Sequence, residues 1–406
     1  MKSFFKKILR KKVIFSILLV FLTVGLIFSG LNYIATDRMD RALMSIRSFK
    51  DPVRWQEVVP PLIPSIQNAY SSYKKAMTFL PDVDENLEMM EHLSNFHFMD
   101  KAKFNLGESE KAFLNQHPDV FRFMEESLQR SDCQYPINYS EGFSTELPHL
   151  EEIRTLLQFS LLQTSNLASE KQYLKAEQLL KASLKLARSI ENEPFIISYL
   201  YEISMYTSVL EMSLGLYQYY PEMRSSIRNL FQERPDWKQL LVQKIKYERS
   251  MAIGSYLDII RGEYPFYQIT KAFGNSDFYY TTYIPQFFTV PFIKLDMVYL
   301  LEEYKQFIDH CQMNSWYALK NINESRRQSD TPFYAILSKM IVGPSFSGMY
   351  TRQLQAISIE ELFLISLEVI DFMTIHKKFP EDIQSLSKTA KIPFLDPFTG
   401  SPYSQI

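Results

Sequence analysis

The side chains whose types could support chemistry in this 406-residue chain are few: six histidines, two cysteines and a scatter of serines beside lysine or glycine. A protein-built zinc site needs several His, Cys or carboxylate ligands, and two imidazoles share a helix face when they stand four residues apart. The histidines are His92, His97, His117, His149, His310 and His376, and no two of them have that spacing. His92 and His97 would point about 140° apart on a helix. There is no Cys-x-x-Cys, and no metal or cofactor is expected. Gly343-Pro344-Ser345-Phe346-Ser347 matches Gly-x-Ser-x-Gly except at its last position, and that motif requires a strand-to-helix elbow. Ser71-Ser72-Tyr73-Lys74 and Ser385-Leu386-Ser387-Lys388 fit Ser-x-x-Lys, but the Ser-Asp-Asn and Lys-Thr-Gly companions are missing. Only 11 residues are glycine, less than half the ordinary share of ~7%, and neither Gly-x-Gly-x-x-Gly nor a Walker loop occurs. No catalytic residue is assigned.

One charged pair and one aromatic segment stand out. Glu248 and Arg249 fall in the middle of a long helical pattern. Adjacent residues diverge by about 100°, so they cannot pair with each other on one face. They are expected to enter the core and meet a neighbouring helix, Arg249 with Asp296, in a pair that fixes helix register. Residues 263–292 hold 11 aromatics in 30 positions, with Tyr279, Tyr280 and Tyr283 as candidate partner-binding residues. Two readings stay open. The rings grip a partner, a ligand or the membrane surface, or they plug into the core, because so much exposed apolar surface would invite aggregation. Cys133 and Cys311 either close one disulfide loop or are two buried small hydrophobes.

The elements that must position these residues begin at the amino terminus. Lys2, Lys6, Lys7, Arg10, Lys11 and Lys12 make a wholly basic segment (1–12), followed by an uncharged run from Val13 to Ala35. At a rise of ~1.5 Å per residue that run covers about 34 Å, enough for a ~30 Å hydrocarbon core. It is longer than the apolar region of a signal peptide, and Ser29-Gly30-Leu31 is a poor cleavage site. A single-pass anchor spanning a lipid bilayer through residues 13–35 is expected. The positive-inside rule keeps the amino terminus in the cytoplasm and places the rest beyond the bacterial inner membrane. Without the six leading cations the body carries 38 basic against 46 acidic residues, about −8, which disfavours a nucleic-acid partner.

The body reads as helical almost throughout, so the fold class is all-α: a transmembrane helix, then a stack of antiparallel helical hairpins of 15–28 residues per helix and an irregular tail. Prolines punctuate a connecting region (36–149) with shorter helices over 66–80, 84–97 and 119–130. The main domain (150–406) opens with Ile153, Leu156, Leu157 and Leu161 on one face, then Ala176, Leu180, Ser183, Ala187 and Ile190 on the next. Helices follow over 195–219, 237–261, 294–322, 332–341 and 350–376. The pair 150–168 and 173–190 is similar to a tetratricopeptide hairpin, without a second copy at its 34-residue period.

Several separated pieces resemble a group of uncharacterised bacterial membrane-anchored helical proteins. They are Leu156-Leu157 through Pro194, Tyr247-Glu248-Arg249, Phe292-Ile293-Lys294-Leu295-Asp296, and the tail containing Phe379, Pro380, Asp396, Pro397, Phe398, Gly400 and Tyr403. The resemblance spans roughly residues 150–403 and implies a fold but no chemistry. The tail is also similar to the end of major pseudopilins, although the prepilin cleavage site before the span is absent. In this tail Asp396 before Pro397 favours an Asx turn and Gly400 permits positive φ. Phe379, Phe398 and Tyr403 would dock it in grooves of the stack; the alternative reading has Asp382 and Asp396 ligating calcium together with backbone carbonyls, two carboxylates being few for such a site. The leading functional expectation is a membrane-anchored interaction or scaffold protein of the envelope, binding a protein or envelope partner. A secretion- or pilus-associated assembly factor and an envelope enzyme without a recognisable motif are the alternatives.

Overall fold

A computed structural model describes residues 2–81, 106–263, 286–313, 315–328, 331–342, 345–381, 386 and 395–403. Among them are 13 α-helices and no strand, the all-α class read from the sequence. The helices are α1 (Lys2–Ser48), α2 (Tyr70–Thr78), α3 (Glu108–Asn115), α4 (Pro118–Glu126), α5 (His149–Ser169), α6 (Tyr173–Ala187) and α7 (Ile196–Tyr219). Then come α8 (Arg224–Leu230), α9 (Trp237–Arg261), α10 (Gln286–Cys311), α11 (Ser315–Gln328), α12 (Ile336–Val342) and α13 (Ser345–His376). The 84–97 helix expectation and Tyr279, Tyr280 and Tyr283 lie outside the described residues.

The α5–α6 hairpin is the tightest seam. Of the 21 residues of α5, 15 are buried, and small side chains let the partner helix approach. Ala176, Ala182 and Ala187 of α6 are fully covered, and the Ser160 and Ser183 hydroxyls meet at 2.7 Å. Buried hydroxyls find acceptors without leaving the helix: Thr164 donates to the Ser160 carbonyl and Ser183 to that of Leu179. α7 packs against this hairpin, then against α13 and α9; α9 packs on α10, and α10 on α1. One apolar core runs through this succession, from Met39 and Ile46 of α1 to Leu367 of α13, drawing Tyr73, Val120 and Met124 from the connecting region on the way.

α1 serves two environments. From Val13 to Thr23 every residue is exposed, whereas further along Ala35, Met39 and Ile46 are buried with helical spacing, and Met39 and Ile46 join the core. The helix ends at Ser48, and Lys50 takes a left-handed φ of 59° to turn the chain toward Asp51.

Three expectations are corrected. The single helix predicted over 294–322 is two, α10 and α11. α10 starts eight residues earlier than periodicity suggests and accommodates Pro291 internally. A proline inside a helix costs about 3 kcal/mol; here the rings on either side of it, Phe288 and Phe292, pack on Phe28 of α1 at 4.8 and 6.3 Å. The last helix begins at Ser345, so the Gly-x-Ser-like serine opens a 32-residue helix, longer than the predicted range, and no elbow forms.

Because the α5–α6 seam has no spare volume, Ala176→Leu is expected to lower stability by about 1–3 kcal/mol through overpacking. Thermal unfolding followed by circular dichroism in detergent would register it, whereas Leu174→Ala on the exposed face of α6 should leave the midpoint unmoved.

Candidate functional site

A groove of about 810 Å³ lies between α1, α9 and α10. It is built where α1, having left the apolar run, lies along α10, which also packs on α9. Ala42, Ile46, Val298 and Leu301 supply an apolar floor; Arg38, Arg41, Lys305, Glu302 and Asp309 are exposed around it, while Lys246 and Arg249 reach Asp51. The floor faces α1 and α10 because the same helical stripes form the core contact beneath it.

Asp51 sits at the head of this groove. One carboxylate oxygen accepts from Lys246 Nζ and the other from an Arg249 guanidinium nitrogen, both at 2.8 Å. Burial raises the carboxyl's pKa, and the two charged donors outweigh it, holding Asp51 below the ordinary carboxylate value. Arg249 therefore enters the core as expected, but its partner is Asp51 and not Asp296. The difference is geometric: α9 presents Arg249 to the chain leaving α1, while Asp296 faces α12. Asp296 accepts from the backbone N–H groups of Leu337 and Ser338 at 2.7 and 3.1 Å and from the Ser338 hydroxyl, closing the first turn of α12 from a neighbouring helix.

Glu248 works in the same way on the other side of α9. It accepts the Ile196 N–H at 2.9 Å and so caps the start of α7; burial pushes its carboxyl up to about 7, against the effect of that N–H. One turn earlier, Lys244 is buried and donates to the carbonyls of Glu191 and Glu193 in the loop before α7. Lys244 and Glu248 thus grip one loop by its carbonyls and its N–H, a use of adjacent charges that no sequence motif signals.

The remaining polar cluster lies under this loop. Glu193 takes a hydrogen bond from the Ser198 hydroxyl and meets His149 Nε2 at 2.7 Å, and Tyr135 stacks on the imidazole at 4.4 Å. The carboxylate stands between serine and histidine. A nucleophilic triad needs the imidazole in the middle, so this arrangement does not activate Ser198 as a base-assisted nucleophile. Nearby, Glu202 is fully buried with neither oxygen hydrogen-bonded, and burial pushes its carboxyl up to about 8 although the Lys244 amine pulls the other way. Sequence reading missed Asp51, Lys244 and Glu202. Lys50-Asp51-Pro52 hinted at a turn, but nothing in sequence told these charges from solvated ones.

Among the described residues no group of three or more His, Cys, Asp or Glu could hold a metal ion. Both cysteines are free thiols, and burial pushes each up to about 12. In the tail, Asp396 engages both carboxylate oxygens within its own turn: Oδ1 accepts the Phe398 N–H at 2.9 Å and Oδ2 the Thr399 hydroxyl at 2.8 Å. Gly400, at φ 70°, lets the chain close that turn. Pro397 is buried and Phe398 packs on the main core; Tyr403 joins Ile365 and Leu386 and donates to Glu361. Pro380 is buried as well, but Phe379 is 69% exposed and does not dock the tail, because the chain turns away at Lys377 with φ 57°. Asp382 lies outside the described residues.

No family model matches this chain, and comparison with curated proteins and with solved structures finds no match either.

Two measurements follow from these groups. Arg249→Met leaves Asp51 with Lys246 alone and is expected to cost about 3 kcal/mol, the low end for breaking a mostly buried pair; denaturant unfolding in detergent reads it, and a change below about 1 kcal/mol would show the pair to be inert. Glu202 and Glu248 hold protons in the folded state that the unfolded chain releases above the ordinary carboxyl range. Stability should therefore fall as pH rises from about 5 to about 8 and level off beyond. Glu202→Gln should flatten that slope in melting curves taken across the range.

Proposed function

We propose that this protein is a single-pass, amino-terminus-inside protein of the bacterial inner membrane whose helical body works by contact, as a scaffold for a protein or envelope component at the outer face. The observation that supports it most is the double role of α1. The same unbroken helix carries the only described stretch long and apolar enough to cross a membrane and, past Ala35, part of the body's own core. A body joined in this way is held at a set height and orientation, unlike one hung on a loose linker. Six cations before the apolar run favour retention of the amino terminus in the cytoplasm.

The groove between α1, α9 and α10 is the surface assigned to the partner. An apolar floor with a charged rim suits an amphipathic segment, whose apolar side supplies binding energy and whose polar side sets register. Its rim begins at Arg38, three residues past the apolar run, so the partner would be met close to the membrane surface.

Alkaline carbonate should leave the full chain in the membrane pellet, and protease added outside spheroplasts should digest the body; a soluble or protected body would refute the assignment. A photo-crosslinking amino acid at Phe49, an exposed residue of the groove, should capture a neighbour in cells, and the same group at Leu174 on α6 should not. Arg38→Glu combined with Lys305→Glu should abolish the Phe49 adduct without lowering the melting temperature.

A further inference from the structure

If residues 13–35 span a bilayer, as proposed above, length arithmetic places more than α1 in it. The boundary on one side is set by Lys11 and Lys12. From Val13 to Ile27 there are 15 residues, which at ~1.5 Å each cover about 22 Å of the ~30 Å hydrocarbon core. The last ~8 Å of the core must then coincide with the part of α1 on which α10 lies. Tilting α1 shortens its reach and enlarges that overlap.

We infer that the amino-terminal two turns of α10, together with Phe333, are immersed in the outer leaflet beside the anchor, and that the acyl chains of the bilayer are the occupant of this apolar tip. Phe28 of α1 lies about 10 Å inside the end of the apolar run at Ala35, and the rings of Phe288 and Phe292 meet it edge-on at 4.8 and 6.3 Å. From Gln286 to Ile293 the chain carries no charge. The first charge is Lys294, whose amine donates to Asn32 and Thr36 at 2.9 and 2.8 Å. Thr36 stands just past the apolar run, so Lys294 brings its ammonium to the level where the hydrocarbon ends, as a snorkelling lysine does. Phe333 extends the tip sideways: its ring lies 6.0 Å from that of Phe292, yet it is 82% exposed. In water an aromatic tip of this kind is unfavourable, and through Phe292 and Phe28 it adjoins the apolar run of α1.

The test uses the full chain with Cys133→Ala and Cys311→Ala, reconstituted in phosphatidylethanolamine–phosphatidylglycerol vesicles that contain acyl-chain nitroxide lipids. Single cysteines for an environment-sensitive fluorophore replace Phe333, Phe288, Leu26 or Leu174. Leu26→Cys reports the span and Leu174→Cys the exposed body. Quenching at Phe333→Cys within about twofold of that at Leu26→Cys, with none at Leu174→Cys, is the expected result for immersion in the same hydrocarbon layer. Phe288→Cys should follow it, guarding against a local disturbance at either position. Quenching at Leu26→Cys but at neither phenylalanine position overturns the immersion of α10 and leaves the span standing. Absence of quenching at Leu26→Cys overturns the span and this inference together. Crosslinking of Phe333→Cys to a second copy in place of lipid quenching would assign the tip to self-association and overturn the inference as well.

Discussion

The structure depends on the way α1 passes from an exposed apolar stretch into the body's own core. An apolar helix with nothing around it is stable only in a solvent of its own polarity, while the stripe Ala35, Met39 and Ile46 is stable only against α10 and its neighbours. One helix meets both demands, so the apolar stretch and the body are continuous along α1. The charge clamp just past its end completes the joint. Asp51, placed by the left-handed turn at Lys50, is held by Lys246 and Arg249 of α9, so the chain leaving α1 is tied to α9.

Charge inside this body serves helix ends and loops. Asp296 closes α12 and Glu248 closes α7, each from a different helix, and Lys244 gathers the carbonyls of the loop before α7. Unsatisfied N–H and C=O groups at buried helix ends are costly, and side chains from a neighbour answer them while pinning two elements together. The cluster of His149, Glu193 and Ser198 belongs to the same pattern, with the carboxylate central and the imidazole sandwiched against Tyr135.

The groove and the aromatic tip lie on the two sides of one boundary, the level at which the apolar run of α1 ends. Above it, Arg38, Arg41 and Lys305 surround an apolar floor; below it, Phe288 and Phe292 lie along α1. Lys294 marks the boundary between them through Asn32 and Thr36. Both features are made by the packing of α1 on α10.

Much of the fold was legible in sequence. Three-and-four spacing of Leu, Ile and Ala located α5, α6 and α7 within a few residues, and Asp396-Pro397 with Gly400 announced its turn, because these signals are local: a face must alternate, a cap must accept, a left-handed residue needs room. The early start of α10 was hidden, since Pro291 argues locally against a helix and only rings on α1 overrule it. The partner of Arg249 was hidden too. Composition shows that a charge exists in a helical stretch, yet which neighbour answers it depends on residues 198 positions apart in the chain. Sequence alone determined the helical class, the apolar run and the basic block before it, because each is a property of neighbours along the chain. The tertiary structure alone decided that α1 continues into the core, that Asp51 closes the joint, and that Asp296 and Glu248 cap helices, because these follow from which faces meet when apolar stripes are buried together.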